Sequence, residues 1–276
     1  MKELVIISGK GGTGKTSITA SFAVLAGNAV VADCDVDAAD LHLVLAPEVQ
    51  ERHAFWAGHE AIIRQEKCID CGLCLAYCRF GAVIKNQEGY DIEPLSCEGC
   101  GVCVRFCPNG AIDFPERHCG EWMVSHTRCG PMIHARLDVA AENSGKLVSV
   151  VRKEARCLAG EGHHSLVLVD GPPGIGCPVI ASLTGATHAL VVTEPTGSGE
   201  HDVDRVLALT RHFAIPTLVC VNKWDLNAEI TERIEEMALR KGVTIAGRIR
   251  YDRAVTLAQM QGRTVVEIDA PCAKDI

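Results

Sequence analysis

The feature that most constrains the fold is a glycine-rich loop between an apolar strand and a helix near the N-terminus. Residues 4–7 form a short, mostly β-branched apolar run, and residues 16–26 have a helical pattern. The loop between them matches G-x-x-x-x-G-K-[ST] and reads Gly9-Lys10-Gly11-Gly12-Thr13-Gly14-Lys15-Thr16. Its glycines allow successive backbone N–H groups to turn towards phosphate oxygens. The chain is therefore predicted to begin with a phosphate-binding strand–loop–helix unit.

Two side chains of this loop have predicted chemical roles. The ammonium group of Lys15 can reach the β- and γ-phosphates, and the hydroxyl of Thr16 can bind Mg²⁺. The residues predicted to bind the nucleotide are Gly11, Gly12, Thr13, Gly14, Lys15, Thr16 and Ser17.

The remainder of the chain alternates between strand and helix patterns. Residues 166–170, 189–193 and 217–222 are apolar runs typical of strands buried in parallel sheets. Helical patterns occupy the intervals, notably residues 202–212 and 227–241. This alternation predicts an α/β fold with a doubly wound, mostly parallel sheet. Together with the glycine-rich motif, it is typical of a P-loop NTPase.

A second feature is a repeated cysteine run, which accounts for eight of the fifteen cysteines. The run C-x2-C-x2-C-x3-C occurs twice, 29 residues apart, with the spacing of bacterial ferredoxins that hold two [4Fe–4S] clusters. The fourth cysteine of each run binds the cluster of the other run in such proteins. The predicted ligands are Cys68, Cys71, Cys74 and Cys107 for one cluster, and Cys97, Cys100, Cys103 and Cys78 for the other.

Structural zinc and disulfides are the alternatives for these cysteines, and both are less favoured. Zinc sites use two cysteine pairs separated by a longer gap, and disulfides are typical of secreted chains. Pro108 follows the last cysteine as in ferredoxins, whereas Arg79 stands where a proline is usual. The segment 62–117 is thus predicted to be a small α+β ferredoxin-like domain inserted into a discontinuous P-loop domain formed by residues 1–61 and 118–276.

Seven cysteines lie outside the repeat. Cys34 and Cys220 adjoin apolar strands and are predicted to be packed side chains. Burial is also the favoured expectation for Cys177. Cys119 and Cys129 are candidates for a further metal site or for reactive thiols.

The lysine directly after the first glycine of the loop, Lys10, makes the motif resemble that of the deviant-Walker-A ATPases, the MinD/ParA superfamily. The resemblance implies a homodimer that forms with ATP, in which Lys10 reaches the nucleotide of the partner. It also implies that Asp35 positions or activates the attacking water, that Asp170 lies near Mg²⁺ through water, and that Asn222 contacts adenine. Lys10, Lys15 and Asp35 are therefore the predicted catalytic residues, and slow ATP hydrolysis stimulated by dimerisation or a partner is the expected activity.

Charge and hydropathy limit the partners. The chain has 27 Lys and Arg against 35 Asp and Glu, so its formal charge is −8. An acidic balance disfavours binding to nucleic acid, and no apolar run reaches the roughly 18–20 residues that a membrane span needs. We therefore expect a cytoplasmic protein without a membrane anchor.

Three functions are compatible with an ATPase that carries a ferredoxin-like insert. The first is ATP-gated electron transfer through two [4Fe–4S] clusters to a partner protein. The second is assembly or maturation of a metal or iron–sulfur cofactor, for which the C-terminal region offers only Cys272. The third is spatial positioning as in MinD or ParA, for which residues 269–276 provide no basic amphipathic helix. The regular ferredoxin spacing favours the first.

Overall fold

The structure is a computed structural model that describes residues 1–139, 141 and 143–276. The strands of the described residues are β1 (Lys2–Ser8), β2 (Val30–Asp33), β3 (Glu48–His59), β4 (Ile62–Ile63), β5 (Val83–Asn86), β6 (Gly89–Ile92), β7 (Ile112–Asp113), β8 (Glu116–Thr127), β9 (Gly130–Leu137), β10 (Leu166–Pro173), β11 (His188–Thr193), β12 (Thr217–Asn222) and β13 (Thr244–Ile249). The α-helices are α1 (Lys15–Ala26), α2 (Leu41–Leu45), α3 (Leu73–Tyr77), α4 (Val102–Phe106), α5 (Ser144–Glu161), α6 (Cys177–Leu183), α7 (Gly197–His212), α8 (Ala228–Arg240) and α9 (Ala254–Met260).

The chain forms two compact units. The first comprises residues 1–53, 121–137 and 144–276, and the second comprises residues 54–120 and 138–143. The predicted insert, residues 62–117, falls within the second unit. No described helix is long and apolar enough to cross a lipid bilayer.

A mostly parallel sheet organises the first unit, which confirms the predicted α/β fold of this part of the chain. Its strand order is β13-β12-β11-β1-β10-β2-β9, and parts of β8 and β3 extend it beyond β9. The central strand β1 pairs in parallel with β10 on one side and with β11 on the other. Strand β2 pairs in parallel with β10 and with β9. The carboxyl ends of these strands therefore lie along one edge of the sheet.

The central strands carry apolar residues on both faces because helices cover both faces of a parallel sheet. All four residues of β2 are buried, and Val5, Ile6 and Ile7 of β1 are fully buried. Helix α1 places Ile18, Ala20 and Ala23 in one core cluster with Ile6 of β1 and Val31 of β2.

Two helices differ from the sequence expectation at their ends. Helix α7 begins at Gly197, five residues before the predicted start, because the Thr196 side chain accepts a hydrogen bond from the Gly199 N–H and caps the helix. Helix α8 begins at Ala228, where the Asn227 side chain accepts from the Ile230 N–H. Capping side chains, rather than the apolar period, set both starts.

The second unit contains two short antiparallel ladders and the two short helices α3 and α4, together with parts of β3 and β8. Strand β4 pairs with β7, and β5 pairs with β6. Its small core consists of Ala61, Ile63, Val83, Tyr90, Ile92 and Ile112. Six of the eight repeat cysteines pack against that core, namely Cys68, Cys74, Cys78, Cys97, Cys103 and Cys107.

Candidate functional site

The glycine-rich loop connects β1 to α1 at the carboxyl edge of the sheet. Gly14 adopts φ +92°, and a Cβ atom there would lie 2.4 Å from the side-chain nitrogen of Asn222. Only glycine allows both the left-handed backbone and this close approach. The loop is therefore held against the end of β12, and the Asn222 amide donates to the Thr13 carbonyl at 2.8 Å.

Lys15 and Asp35 come together at the start of α1. The Lys15 side chain is 5% exposed, and its ammonium group lies 3.8 Å from Asp35 Oδ2. Burial raises the pKa of the Asp35 carboxyl, and the charge of Lys15 opposes that rise. The structure thus brings together two of the predicted catalytic side chains, a cation for phosphate oxygens and a carboxylate that can orient water.

Asp170 lies in the carboxyl-terminal half of β10 and is completely buried. Its Oδ1 atom accepts a hydrogen bond from Thr19 Oγ1 at 3.1 Å, whereas Oδ2 has no hydrogen-bond partner among the described residues. Burial raises the pKa of this carboxyl to about 6, although a hydrogen bond from Thr16 opposes the rise. A buried carboxylate oxygen without a donor fits hydrated Mg²⁺, which binds through oxygen ligands and keeps several waters.

Sequence reasoning missed Asp33, the last residue of β2. Its carboxyl is fully buried and accepts the backbone N–H groups of Asp35 and Leu41, each at 3.3 Å. Burial, together with the charge of the neighbouring Asp170, raises the pKa of Asp33 well above its usual range. Asp33 therefore fixes the backbone of the segment that carries Asp35. The sequence feature that could have identified Asp33 is its position at the end of an apolar run.

The contacts of Lys10 in this structure are with residues of its own chain. Its ammonium group is 2.7 Å from Glu194 Oε1 and donates to Thr196 Oγ1 at 3.1 Å. The other oxygen of Glu194 is 3.0 Å from Lys223 Nζ, which also donates to the Gly12 carbonyl at 3.0 Å. Glu194 and Lys223 were not predicted as site residues, although each follows a strand that ends at the same sheet edge.

A cavity of about 280 Å³ adjoins the glycine-rich loop. Asn222, for which an adenine contact is predicted, lines it together with Tyr251. Asp225 accepts the Tyr251 N–H at 2.7 Å, which anchors this wall of the cavity. Ser17 also lines the cavity, and its hydroxyl accepts a hydrogen bond from Gln259.

In the second unit, one cavity is lined by four cysteines from both runs. These four are Cys68, Cys71, Cys74 and Cys107. The Ala111 N–H donates to Cys107 Sγ at 3.3 Å. No three Cys, His, Asp or Glu side chains of the described residues converge closely enough to hold a single metal ion.

The other cysteines divide by exposure. Cys34, Cys119, Cys129, Cys220 and Cys272 are buried, whereas Cys157 and Cys177 are exposed. The expectation that Cys177 is buried is wrong, because this residue begins α6 at the surface. The Cys119 thiol donates to the Ala57 carbonyl at 3.1 Å, as a packed side chain does.

Comparisons with known proteins agree with the architecture of the first unit. The family described as CobQ/CobB/MinD/ParA nucleotide binding domain matches residues 4–265. The uncharacterized protein MJ0578 of Methanocaldococcus jannaschii is 36% identical over 232 residues, which cover 82% of this chain and 79% of that protein.

Two solved structures are similar in fold. The septum site-determining protein MinD of Pyrococcus horikoshii, complexed with Mg-ADP, superposes with a TM-score of 0.59 at 17% identity, over 99% of this chain and 92% of the other. The MinC:MinD cell division complex of Aquifex aeolicus gives a TM-score of 0.56 at 18% identity, over 100% of this chain and 92% of the other.

Proposed function

The chain belongs to the CobQ/CobB/MinD/ParA nucleotide-binding family, and on that premise we propose that it binds and hydrolyses ATP with Mg²⁺. The observation that carries the proposal is that the charged groups of Lys15, Asp35 and Asp170 lie close together on the carboxyl side of the sheet. Such an arrangement combines a cation for phosphate, a carboxylate beside it and a buried carboxylate with one free oxygen.

The residues of this chain divide the work of hydrolysis. Backbone N–H groups of the glycine-rich loop and Lys15 hold the phosphates, and Asp35 orients water for attack in line with the leaving group. Mg²⁺, when bound, neutralises charge on the phosphate oxygens, and Thr16 and Asp170 would hold it, the latter through water. Asn222 and Tyr251 supply the wall of the base cavity.

Nucleotide binding and phosphate release test this proposal directly. We expect Lys15→Ala to weaken ATP binding and to lower phosphate release by at least about 100-fold, because the cation acts on transition-state charge. We expect Asp35→Asn to lower phosphate release while ATP still binds. Lys153→Ala, on the exposed side of α5, is the matched control and should leave both unchanged. Normal turnover in Lys15→Ala would contradict the proposal.

The physiological role is a further part of the proposal, and the similar proteins favour positioning. The solved structures named above are cell-division MinD proteins, so a MinD- or ParA-like positioning ATPase fits the comparisons better than electron transfer does. We propose a homodimer that forms with ATP in either case, because paired nucleotides would bring the Lys10 of each chain to the other.

One observation favours the redox alternative over positioning alone. The cavity lined by Cys68, Cys71, Cys74 and Cys107 contains the four cysteines that the spacing assigns to one [4Fe–4S] cluster. A four-iron cluster takes one thiolate on each iron, so its ligands surround a cavity and do not converge on one ion. The Ala111 N–H, which donates to Cys107 Sγ, is the kind of donor that tunes such clusters. Cofactor maturation remains the alternative use of a cluster in this unit.

Iron analysis and EPR of anaerobically purified protein test the redox alternative. We expect about eight irons per chain, and about four in Cys71→Ser or Cys100→Ser, since each variant loses a ligand of one cluster. Cys157→Ser is the control, because Cys157 is exposed and lies outside the repeat. ATP should alter the EPR signal of the reduced protein if nucleotide gates electron transfer. Protein without iron would leave positioning as the role.

A further inference from the structure

We propose that the second unit carries a docking surface for an acidic electron-transfer protein, formed by the rings of Tyr77 and Phe106 and by Arg79 and Arg105. We call these four residues the aromatic–arginine surface. The inference rests on the proposed [4Fe–4S] clusters and adds the site and the kind of partner.

The two rings occupy equivalent positions of the cysteine repeat. Tyr77 ends α3 and Phe106 ends α4, and each directly precedes the fourth cysteine of its run. The ring centroids are 4.5 Å apart with an interplanar angle of 25°. The rings remain 46% and 47% exposed. An aromatic pair that keeps half its surface open can bury that surface against a partner, and aromatic residues are enriched at interfaces.

The charged side chains nearest to each ring in sequence are basic. Between residues 71 and 87 the charged side chains are Arg79 and Lys85, and between residues 99 and 112 the only one is Arg105. The Lys85 ammonium group lies over the Tyr90 ring, 5.2 Å from its centroid.

The two arginines of the surface are available to a partner. Arg64 of the same unit pairs with Asp113 at 3.2 Å, whereas neither Arg79 nor Arg105 pairs with an acidic side chain within the described part of the chain. Both are exposed, and each lies within two residues of a stacked ring. A basic patch on a chain with a net charge of −8 selects a partner with an acidic face.

The position of the rings defines the kind of partner. Tyr77 adjoins Cys78 and Phe106 adjoins Cys107, so the stack lies beside one predicted ligand of each cluster. A protein docked there would exchange one electron: the reduced chain is oxidised by one electron, and the redox centre of the partner is reduced by one. Interfaces for such exchange are small and transient, and electrostatic steering sets their rate. An aromatic pair flanked by arginines meets those requirements.

Stopped-flow mixing with a flavodoxin, an acidic flavin protein, tests the proposal. The protein, reduced with Ti(III) citrate, gives one electron to the oxidised flavin, which takes up one proton from water. We expect the double variant Arg79→Glu/Arg105→Glu to slow this reaction about tenfold at low ionic strength, with the difference lost at high salt. The reaction with basic cytochrome c should not slow.

The control is Arg211→Glu/Arg240→Glu, which changes the net charge equally at the ends of α7 and α8. An equal loss of rate in this control, or no loss in the first variant, overturns the proposed surface. A second variant, Tyr77→Leu/Phe106→Leu, should slow the reaction at every salt concentration while iron content stays at the wild-type level.

Two further measurements separate the possible failures. Wild-type protein without iron overturns both the redox function and this inference. Normal iron and EPR signals with an unchanged rate in Arg79→Glu/Arg105→Glu overturn the docking surface alone. Sedimentation of the same variant tests whether the surface instead joins two copies of the chain. A smaller oligomer than that of the wild type would show self-association through this surface and overturn the acidic partner.

Discussion

Lys10 Nζ lies 2.7 Å from Glu194 Oε1 of the same chain, and Lys223 Nζ lies 3.0 Å from the other oxygen of that carboxylate. The two lysines lower the pKa of Glu194, although burial of the carboxyl opposes them. Lys10 therefore has a counter-ion within its own chain. To reach the nucleotide of a partner, as the resemblance to deviant-Walker-A ATPases implies, it must leave Glu194.

This ion pair predicts that Glu194 restrains dimerisation. In Glu194→Gln the restraint is weaker, so we expect a larger dimer fraction with ATP and about three- to tenfold faster phosphate release. Lys10→Ala should remain monomeric with ATP and lose the stimulated hydrolysis. Light scattering and phosphate release measure the two effects. Glu200→Gln, which breaks a more exposed pair with Arg233, is the control. A Lys10→Ala variant that dimerises and hydrolyses ATP normally would refute the role of this lysine in the partner.

The raised pKa of Asp170 predicts that the free energy of unfolding falls as the pH rises. Its pKa is about 6 in the fold and near 3.8 in the unfolded chain, so the folded carboxyl keeps a proton that the unfolded one has released. The free energy of unfolding should therefore decrease between about pH 4 and pH 6. Asp170→Asn removes this penalty and should be more stable above pH 6 by about 2–3 kcal/mol.

Urea unfolding without nucleotide at several pH values measures this effect. Asp170→Asn should also bind Mg²⁺-ATP less well than the wild type, since the amide offers no charge to the cation. Asp269→Asn, at an exposed carboxylate, is the control. Equal pH slopes in wild type and Asp170→Asn would show that the buried carboxyl does not titrate in this range.

The lowered pKa of His134 predicts the opposite dependence of stability on pH, over an overlapping pH range. Burial lowers its pKa to about 4, helped by the charges of His42 and Arg52 and opposed by Glu121. The imidazole Nε2 is 2.8 Å from Ser125 Oγ. The unfolded ring takes up a proton near pH 6.5, whereas the folded ring resists protonation until about pH 4. Stability should thus be lost as the pH falls through this window.

His134→Gln should reduce the free energy of unfolding that is lost on acidification by about 2–3 kcal/mol. It should also lower stability at pH 7, because packing is lost. Thermal unfolding at pH 4.5 and pH 7 gives both quantities. His201→Gln, at a side chain that is 73% exposed, should change neither. If His134→Gln lost as much stability at low pH as the wild type, the loss would arise from other groups.

The sequence predicted the parts of the fold and site that depend on local pattern. The apolar runs predict the strands β1, β10, β11 and β12, and the glycine motif predicts the loop. Both predictions succeed because few other local structures accept these residue types. Lys15, Asp35 and Asp170 come together because parallel strands end at one edge of a sheet.

The contacts that depend on long-range packing could not be predicted. Glu194 pairs with Lys10 across 184 residues of sequence, and Asp33 becomes an acceptor only when β2 is enclosed by its neighbours. The exposure of Cys177 likewise depends on how α6 lies on the surface, which its sequence does not determine.

A buried ion pair at the N-terminal end of β1 gives the last prediction. Glu3 and Arg152 are 3% and 4% exposed, and Arg152 Nε donates to Glu3 Oε1 at 2.9 Å. Arg156 Nε donates to Glu3 Oε2 at 2.9 Å. Removing the charge of Glu3 leaves a desolvated guanidinium without its counter-ion. We therefore expect Glu3→Gln to lower the free energy of unfolding by about 3–5 kcal/mol.

Urea unfolding at pH 7 measures this loss against two references. Glu235→Gln breaks a more exposed pair with Arg248 and should cost less than about 1 kcal/mol. The double variant Glu3→Met/Arg152→Met removes both buried charges and should be more stable than Glu3→Gln, because the penalty comes from the unpaired cation and not from the missing bond. If the double variant were less stable than the single one, the pair itself would supply the stabilisation.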